Sequence, residues 1–175
     1  MLADISRNLI GILRTKRAHH AAVVRLRPMI LASQSRIGPV PRILWRHPYA
    51  VGLLSMSITL IALHASRRIS SEDLAAVQVA AWQDISGCCD CDIGEQIVLL
   101  SSARDIDFVA GCTCALRMFA RDPRGASNLE HAETGPHLGL LHGNDYATGS
   151  FESALSQAWE DCFDSRIEAL TAQLV

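Results

Sequence analysis

Apolar residues recur at helical spacing along most of this chain, and the breaks between the runs are marked by proline, glycine and serine. Leu9, Ile10, Ile12, Leu13, Ala21, Val23, Val24 and Leu26 predict a helix from Leu2 to Arg27, ended by Pro28. Gly38-Pro39-Val40-Pro41 reads as a linker. A second helix is expected over Pro48 to Ala65, with proline at the first helical position, where its missing N–H costs nothing. Ser70-Ser71-Glu72-Asp73 then has the form of a helix start: Ser70 caps, and the two acids face the positive end of the dipole. Leu74, Val77, Ala81 and Ile85 share one face of that helix, and Gly87 supplies the backbone freedom to turn out of it. Ile93 and Ile97 to Leu100 open the next apolar run, and Asp105 to Arg121 predicts a further helix through Ile106, Val109, Ala110, Leu116 and Phe119.

Periodicity fails over residues 122–150, where Pro123, Gly125, Gly135, Pro136, Gly139, Gly143 and Gly149 predict a long loop. It returns after Ser150, a suitable cap, in the stripe Phe151, Leu155, Trp159, Phe163, Ile167, Leu170 and Leu174. That stripe reads as core packing or a subunit contact. The expected class is therefore all-α, a helical bundle in four parts: a basic helical arm and linker at 1–41, a helical core at 42–121, the loop at 122–150 and an amphipathic helix at 151–175.

Composition supports a core built from aliphatic residues. The 175-residue chain is 49% hydrophobic but holds only three Trp, two Tyr and four Phe. A mean hydropathy of +0.18 is high for a soluble protein, and much of it comes from Pro48 to Ala65. No Asp, Glu, Lys or Arg interrupts that run between His47 and Ser66, while Arg46 and Arg67-Arg68 flank it. It suits a buried core helix or a single membrane span, and Ser55, Ser57, Thr59 and His64 dilute its hydrophobicity.

Charge divides along the chain. Residues 1–47 carry nine Lys or Arg against Asp4 alone, whereas residues 48–175 carry seven Arg against seventeen acids. The expected consequence is a basic arm lying on an acidic body, its own or a neighbouring subunit's. The arm's composition also fits an organellar transit peptide or a membrane-surface helix. No aromatic residue interleaves the basic positions before Trp45, which argues against a nucleic-acid surface.

Candidate chemistry gathers between Asp84 and Glu95, where Cys88, Cys89 and Cys91 stand among Asp84, Asp90, Asp92 and Glu95. A Cys88-x-x-Cys91 pair at the mouth of a helix, with Cys91 one turn in, brings two sulfurs within reach of a small-ring disulfide, the geometry of a redox dithiol. The helix N-terminus favours thiolate, and the surrounding carboxylates oppose it. Six cysteines without a secretory signal point to a reducing compartment, and the cytoplasm is the expected location, with a membrane as the alternative. Cys112 and Cys114, on opposite sides of their predicted helix, are poorly spaced for joint chelation. His131, His137 and His142 are scattered through the loop and read as solvated.

The segment from Ile69 to Trp82, running into Ser86-Gly87-Cys88-x-x-Cys91, resembles the core of the carboxymuconolactone decarboxylase and alkylhydroperoxidase D-like family. Trp45-Arg46-His47-Pro48-Tyr49 upstream resembles the His-Pro-opened helix preceding that core, so the likeness spans about residues 42–103. Asp90 and Glu95 stand where peroxidase members carry histidines, and Ala76 stands at the family's relay glutamate, with Asp73 as a substitute if the turn before Cys88 is longer. The resemblance implies a trimeric or hexameric helical protein that reduces peroxide. Cys91 would attack, Cys88 would resolve, Glu95 or Asp73 would move protons, and a thiol reductant would restore the pair. It implies no cofactor.

Two other classes stay open. A structural zinc site could draw on Cys88, Cys91, Cys112 and Cys114. A membrane or assembly protein without catalysis would use the basic arm and residues 48–65, and a family member that has lost the reaction would keep only the fold.

Overall fold

A computed structural model describes residues 2–88, 92–120 and 148–174, and every described element is helical. Helix α1 spans Leu2–Ile37, α2 Arg42–Trp45, α3 Pro48–Ala65, α4 Ser71–Ser86, α5 Ile93–Ala103 and α6 Ile106–Ala120. The C-terminal rod comprises α7 (Thr148–Trp159), a π-helical turn (Glu160–Asp164) and α8 (Ser165–Ala172). The predicted all-α class is observed. Most of the predicted 122–150 loop, with its three histidines, lies outside the described residues.

Helix α1 corrects the expectation that Pro28 ends it, for it continues nine residues further to Ile37. Proline removes the N–H that would serve the carbonyl of residue 24 and crowds that carbonyl. Here Val24 and Pro28 both face solvent, so water can serve the unpaired oxygen. Ala18, Ala22, Leu26, Ile30 and Ser33 are buried on the opposite face, on both sides of the proline, and packing holds the two halves in one helix. Gly38, at φ +84°, then ends α1 in the left-handed conformation that glycine adopts without strain.

Helix α3 begins and ends where its pattern predicts. The His47 ring accepts from the Tyr49 N–H at 3.2 Å, and Pro48 occupies the first helical turn. It is the central helix and touches α1, α2, α4, α5 and α6. It is also the one described helix long and apolar enough to cross a membrane, and 61% of it is buried against the protein's own helices. Its serine and threonine hydroxyls are satisfied locally. Ser57 donates to the Leu53 carbonyl at 2.7 Å and Thr59 to the Ser55 carbonyl at 2.8 Å, while Gln78 of α4 donates to the Thr59 hydroxyl at 2.8 Å.

The closest helix contact joins α3 to α6. A Cβ at Gly52 would overlap the Phe108 carbonyl, and one at Gly111 would overlap the Tyr49 carbonyl, so the two backbones meet with no side chain between them. Gly52 faces Phe108 and Tyr49 faces Gly111, a reversed order that sets the helices antiparallel. Asp105 caps α6, its Oδ1 accepting from the N–H groups of Asp107 and Phe108 at 3.0 Å each.

The C-terminal rod begins at Thr148, two residues before the expected Ser150 cap. Leu155, Trp159, Phe163, Ile167 and Leu170 are buried as its stripe predicts, whereas Leu174 is exposed. A strict four-residue repeat drifts by about 40° per step around an α-helix. The π turn at Glu160–Asp164 adds residues per turn and returns the later apolar positions to the core.

Candidate functional site

Two helix ends and one turn build a cleft around Cys88. Helix α4 starts at Ser70, whose hydroxyl accepts from the Asp73 N–H at 3.0 Å, and ends at Gly87, left-handed at φ +68°. That turn throws Cys88 off the helix toward the segment joining α1 to α2. The Cys88 N–H is held by the Ser86 hydroxyl at 3.1 Å. A cleft of about 330 Å³ opens there, lined by Gln34, Val40, Arg42, Trp45 and Ser86 to Cys88. The cysteine is free and 8% exposed, so it lies at the cleft floor rather than on its rim.

An aromatic cluster supports that floor. Trp45 packs edge-on to Trp82 with centroids 6.5 Å apart, and meets Phe163 at 6.1 Å. Phe163 stacks on Trp159 at 4.9 Å, and the Trp159 indole N–H donates to the buried Ser33 hydroxyl at 2.9 Å. Beyond Cys88 the chain is tied back to the same corner. Asp92 pairs with Arg46, and the Gln96 amide donates to the Arg46 carbonyl at 2.7 Å. Cys91 lies between these two described stretches, outside the described residues.

The predicted site residues do not all converge. Cys88 precedes the α5 start at Ile93 by five residues and follows α4, which corrects the expectation that it opens the first turn of a helix. Glu95 stands exposed in the first turn of α5. Asp73 is at the far end of α4, hydrogen-bonded with Ser70 at 2.7 Å. The thirteen residues from Asp73 to Ser86 place it about 20 Å along the helix from the thiol. Asp73 therefore serves as a helix-start residue, and the longer turn that would carry it toward Cys88 is absent.

Cys112 and Cys114 point to different partners, as their spacing predicts. Cys112 donates to the Gly52 carbonyl at 3.5 Å, and burial raises its thiol above the ordinary range. Cys114 joins a cluster not anticipated from sequence, with Tyr49, Cys162, Arg166 and Asp107. The Tyr49 hydroxyl donates to the Cys162 carbonyl at 2.8 Å, and burial, with the Cys114 thiol close by, raises both Tyr49 and Cys162 above their ordinary ranges. Arg166 lies over the Tyr49 ring at 5.4 Å and pairs with Asp107 at 2.9 Å. Burial, then Cys114, holds the Tyr49 phenol above its usual range. The same causes, in the same order, push Cys162 up to about 12. Tyr49 and Cys162 stay protonated near neutrality, and the cluster is a polar lock between α3, α6 and the C-terminal rod, with Arg166 and Asp107 partly exposed at its edge. The only local signal for it was the one-turn spacing of Cys162 and Arg166. Among the described residues no three His, Cys, Asp or Glu side chains assemble into a metal cage.

The basic arm lies partly on the chain's own acids. Arg36 holds Asp164 at 2.6 Å and Glu160 at 3.4 Å, and His19 meets Asp84 at 3.1 Å. Compared with protein-family models, curated proteins and solved structures, the chain matches none.

Proposed function

We propose that the chain is a dithiol oxidoreductase that reduces a small hydroperoxide through Cys88 and Cys91. The observation that carries this reading is the position of Cys88, the described member of the pair, on the floor of an open cleft walled by Trp45 and Arg42. The finer assignment to an alkylhydroperoxidase D-like bundle rests on the resemblance over residues 42–103 alone.

One thiolate sulfur of the pair attacks the terminal oxygen of the hydroperoxide. The O–O bond breaks, the leaving alkoxide takes a proton to become an alcohol, and the sulfur becomes a sulfenic acid. The second thiol displaces its hydroxyl, which departs as water with that thiol's proton, and the S–S bond forms. The two sulfurs lose two electrons and the peroxide gains them. Trp45 gives the cleft an apolar wall, Arg42 offers a guanidinium to an anionic substrate group, and exposed Glu95 is the remaining candidate proton carrier.

The test is the thiol count of the purified chain before and after one equivalent of hydroperoxide, with mass mapping. The expected result is rapid loss of two thiols mapped to a Cys88–Cys91 disulfide, abolished by Cys88→Ser and by Cys91→Ser. No thiol loss, or the same disulfide mass persisting in either variant, overturns the assignment.

A further inference from the structure

The basic arm is not spent entirely on internal pairs. Twenty residues before Gln34, α1 lines a second cleft of about 480 Å³ with Leu13, Arg14, Arg17, Ser66, Arg67 and Arg68. The Arg14 guanidinium donates to the Arg68 carbonyl at 3.3 Å, which ties α1 to the turn after α3. Among the described residues no carboxylate lines this cleft. Arg67 and Arg68 follow the C-terminal, negative end of α3, a favourable place for cations. That accounts for two of the four arginines. Arg14 and Arg17 come from a different helix and add their charge to the same opening.

An aliphatic side chain stands among the arginines: Leu13 lines the same opening and is 66% exposed. Such a residue gains nothing from water and would gain from the boundary between lipid headgroups and acyl chains. Among the described residues no aromatic side chain lines the opening to stack on a base, as single-stranded nucleic-acid grooves require. Guanidinium groups grip phosphate oxygens in pairs.

We propose that the Arg14, Arg17, Arg67 and Arg68 cleft, with Leu13 in its lining, docks the protein on the surface of an anionic phospholipid bilayer. The arginines take the headgroup phosphates and Leu13 enters the headgroup layer. This surface is independent of the thiol cleft.

The test is flotation of the full chain with vesicles of phosphatidylcholine and phosphatidylserine, against vesicles of phosphatidylcholine alone. The expected result is binding to the mixed vesicles only, weakened progressively by sodium chloride. Replacing Arg14, Arg17, Arg67 and Arg68 together by Gln should lower the partition coefficient by roughly several hundredfold, at about fivefold per arginine. A Leu13→Ser variant should bind more weakly than wild type while keeping its salt dependence, and circular dichroism of each variant should match wild type. Equal binding to both vesicle types, or no binding to the mixed ones, overturns the proposal without use of any variant. Release by inorganic phosphate but not by chloride of equal ionic strength would assign the cleft to free phosphate and overturn it. DNA retention that the fourfold variant loses, without vesicle binding, would assign it to nucleic acid and overturn it as well.

Discussion

The molecule keeps thiols in two regions that differ in almost every physical respect. At Cys88 a glycine turn ejects the residue from a helix into an open cleft, and the nearest hydrogen bonds go to its backbone. Cys114 and Cys162 sit inside helical segments near Tyr49, and burial holds the Cys162 thiol protonated. Placement rather than residue type separates the two regions, and exposure alone does not: Cys88 is buried where it lines its cleft, whereas Cys114 and Cys162 are half-buried among packed helices. Glycine serves both ends of the contrast: Gly87 opens one region, while Gly52 and Gly111 close the other.

The largest expected effect comes from forcing the closed region open. Gly111→Ala would drive a methyl group into the Tyr49 carbonyl and separate α6 from α3, costing about 3 kcal/mol in a denaturant titration. Alkylation of Cys112 and Cys114 should quicken in the same variant while that of Cys88 is unchanged. Equal acceleration at all three would show that the two regions are not distinct.

A smaller loss follows from Arg36→Ala. Asp164 is buried and would keep its carboxylate without the guanidinium that now meets it at 2.6 Å. The expected cost is about 2 kcal/mol, below the full value for a buried pair because Arg36 itself is partly exposed. Unfolding midpoints of the wild type and of Arg36→Ala in a denaturant titration check this, and Arg36→Lys should recover part of the loss.

The smallest effect separates the regions by pH. Cys162 is raised from 9.0 in the unfolded chain to about 12 in the folded one, and Tyr49 shifts in the same direction. An acid whose folded pKa is raised contributes stability that is fully present below the unfolded pKa. That contribution is lost as pH climbs through the folded value. Thermal stability should therefore decline from about pH 9 upward. Tyr49→Phe, which removes the hydrogen bond to the Cys162 carbonyl for about 1 kcal/mol near neutrality, should flatten that decline. Cys162→Ser should flatten it too.

Local features of this fold were legible because their causes are local. Pro48, Ser70 and Gly87 mark helix boundaries through their own backbone chemistry, and the structure places those boundaries where the residues predict. Pro28 misled because its cost depends on whether the stranded carbonyl faces water, which only the packing of α1 decides. Gly52 and Gly111 look like weak points within apolar helices until they are seen to face one another's helix. The same applies to the site. The position of Cys88 after a glycine turn could be read locally, but the cleft also needs Gln34 and Trp45 from remote segments. Asp73 was assigned by counting residues, and the unbroken length of α4 removes it from the thiol. The lock formed by Tyr49, Cys114 and Cys162 joins three stretches of chain through contacts that no short window contains.

Helix α1 carries both clefts on one shaft, with Gln34 at the thiol opening and Arg14 at the basic opening, about 30 Å apart along the axis. If the basic opening seats the protein, the Cys88 cleft lies that distance along the shaft from the seat. The shaft also fixes an angle. One residue inserted between Arg14 and Gln34 would swing one opening by about 100° against the other, so distance and bearing are set by the length of a single helix.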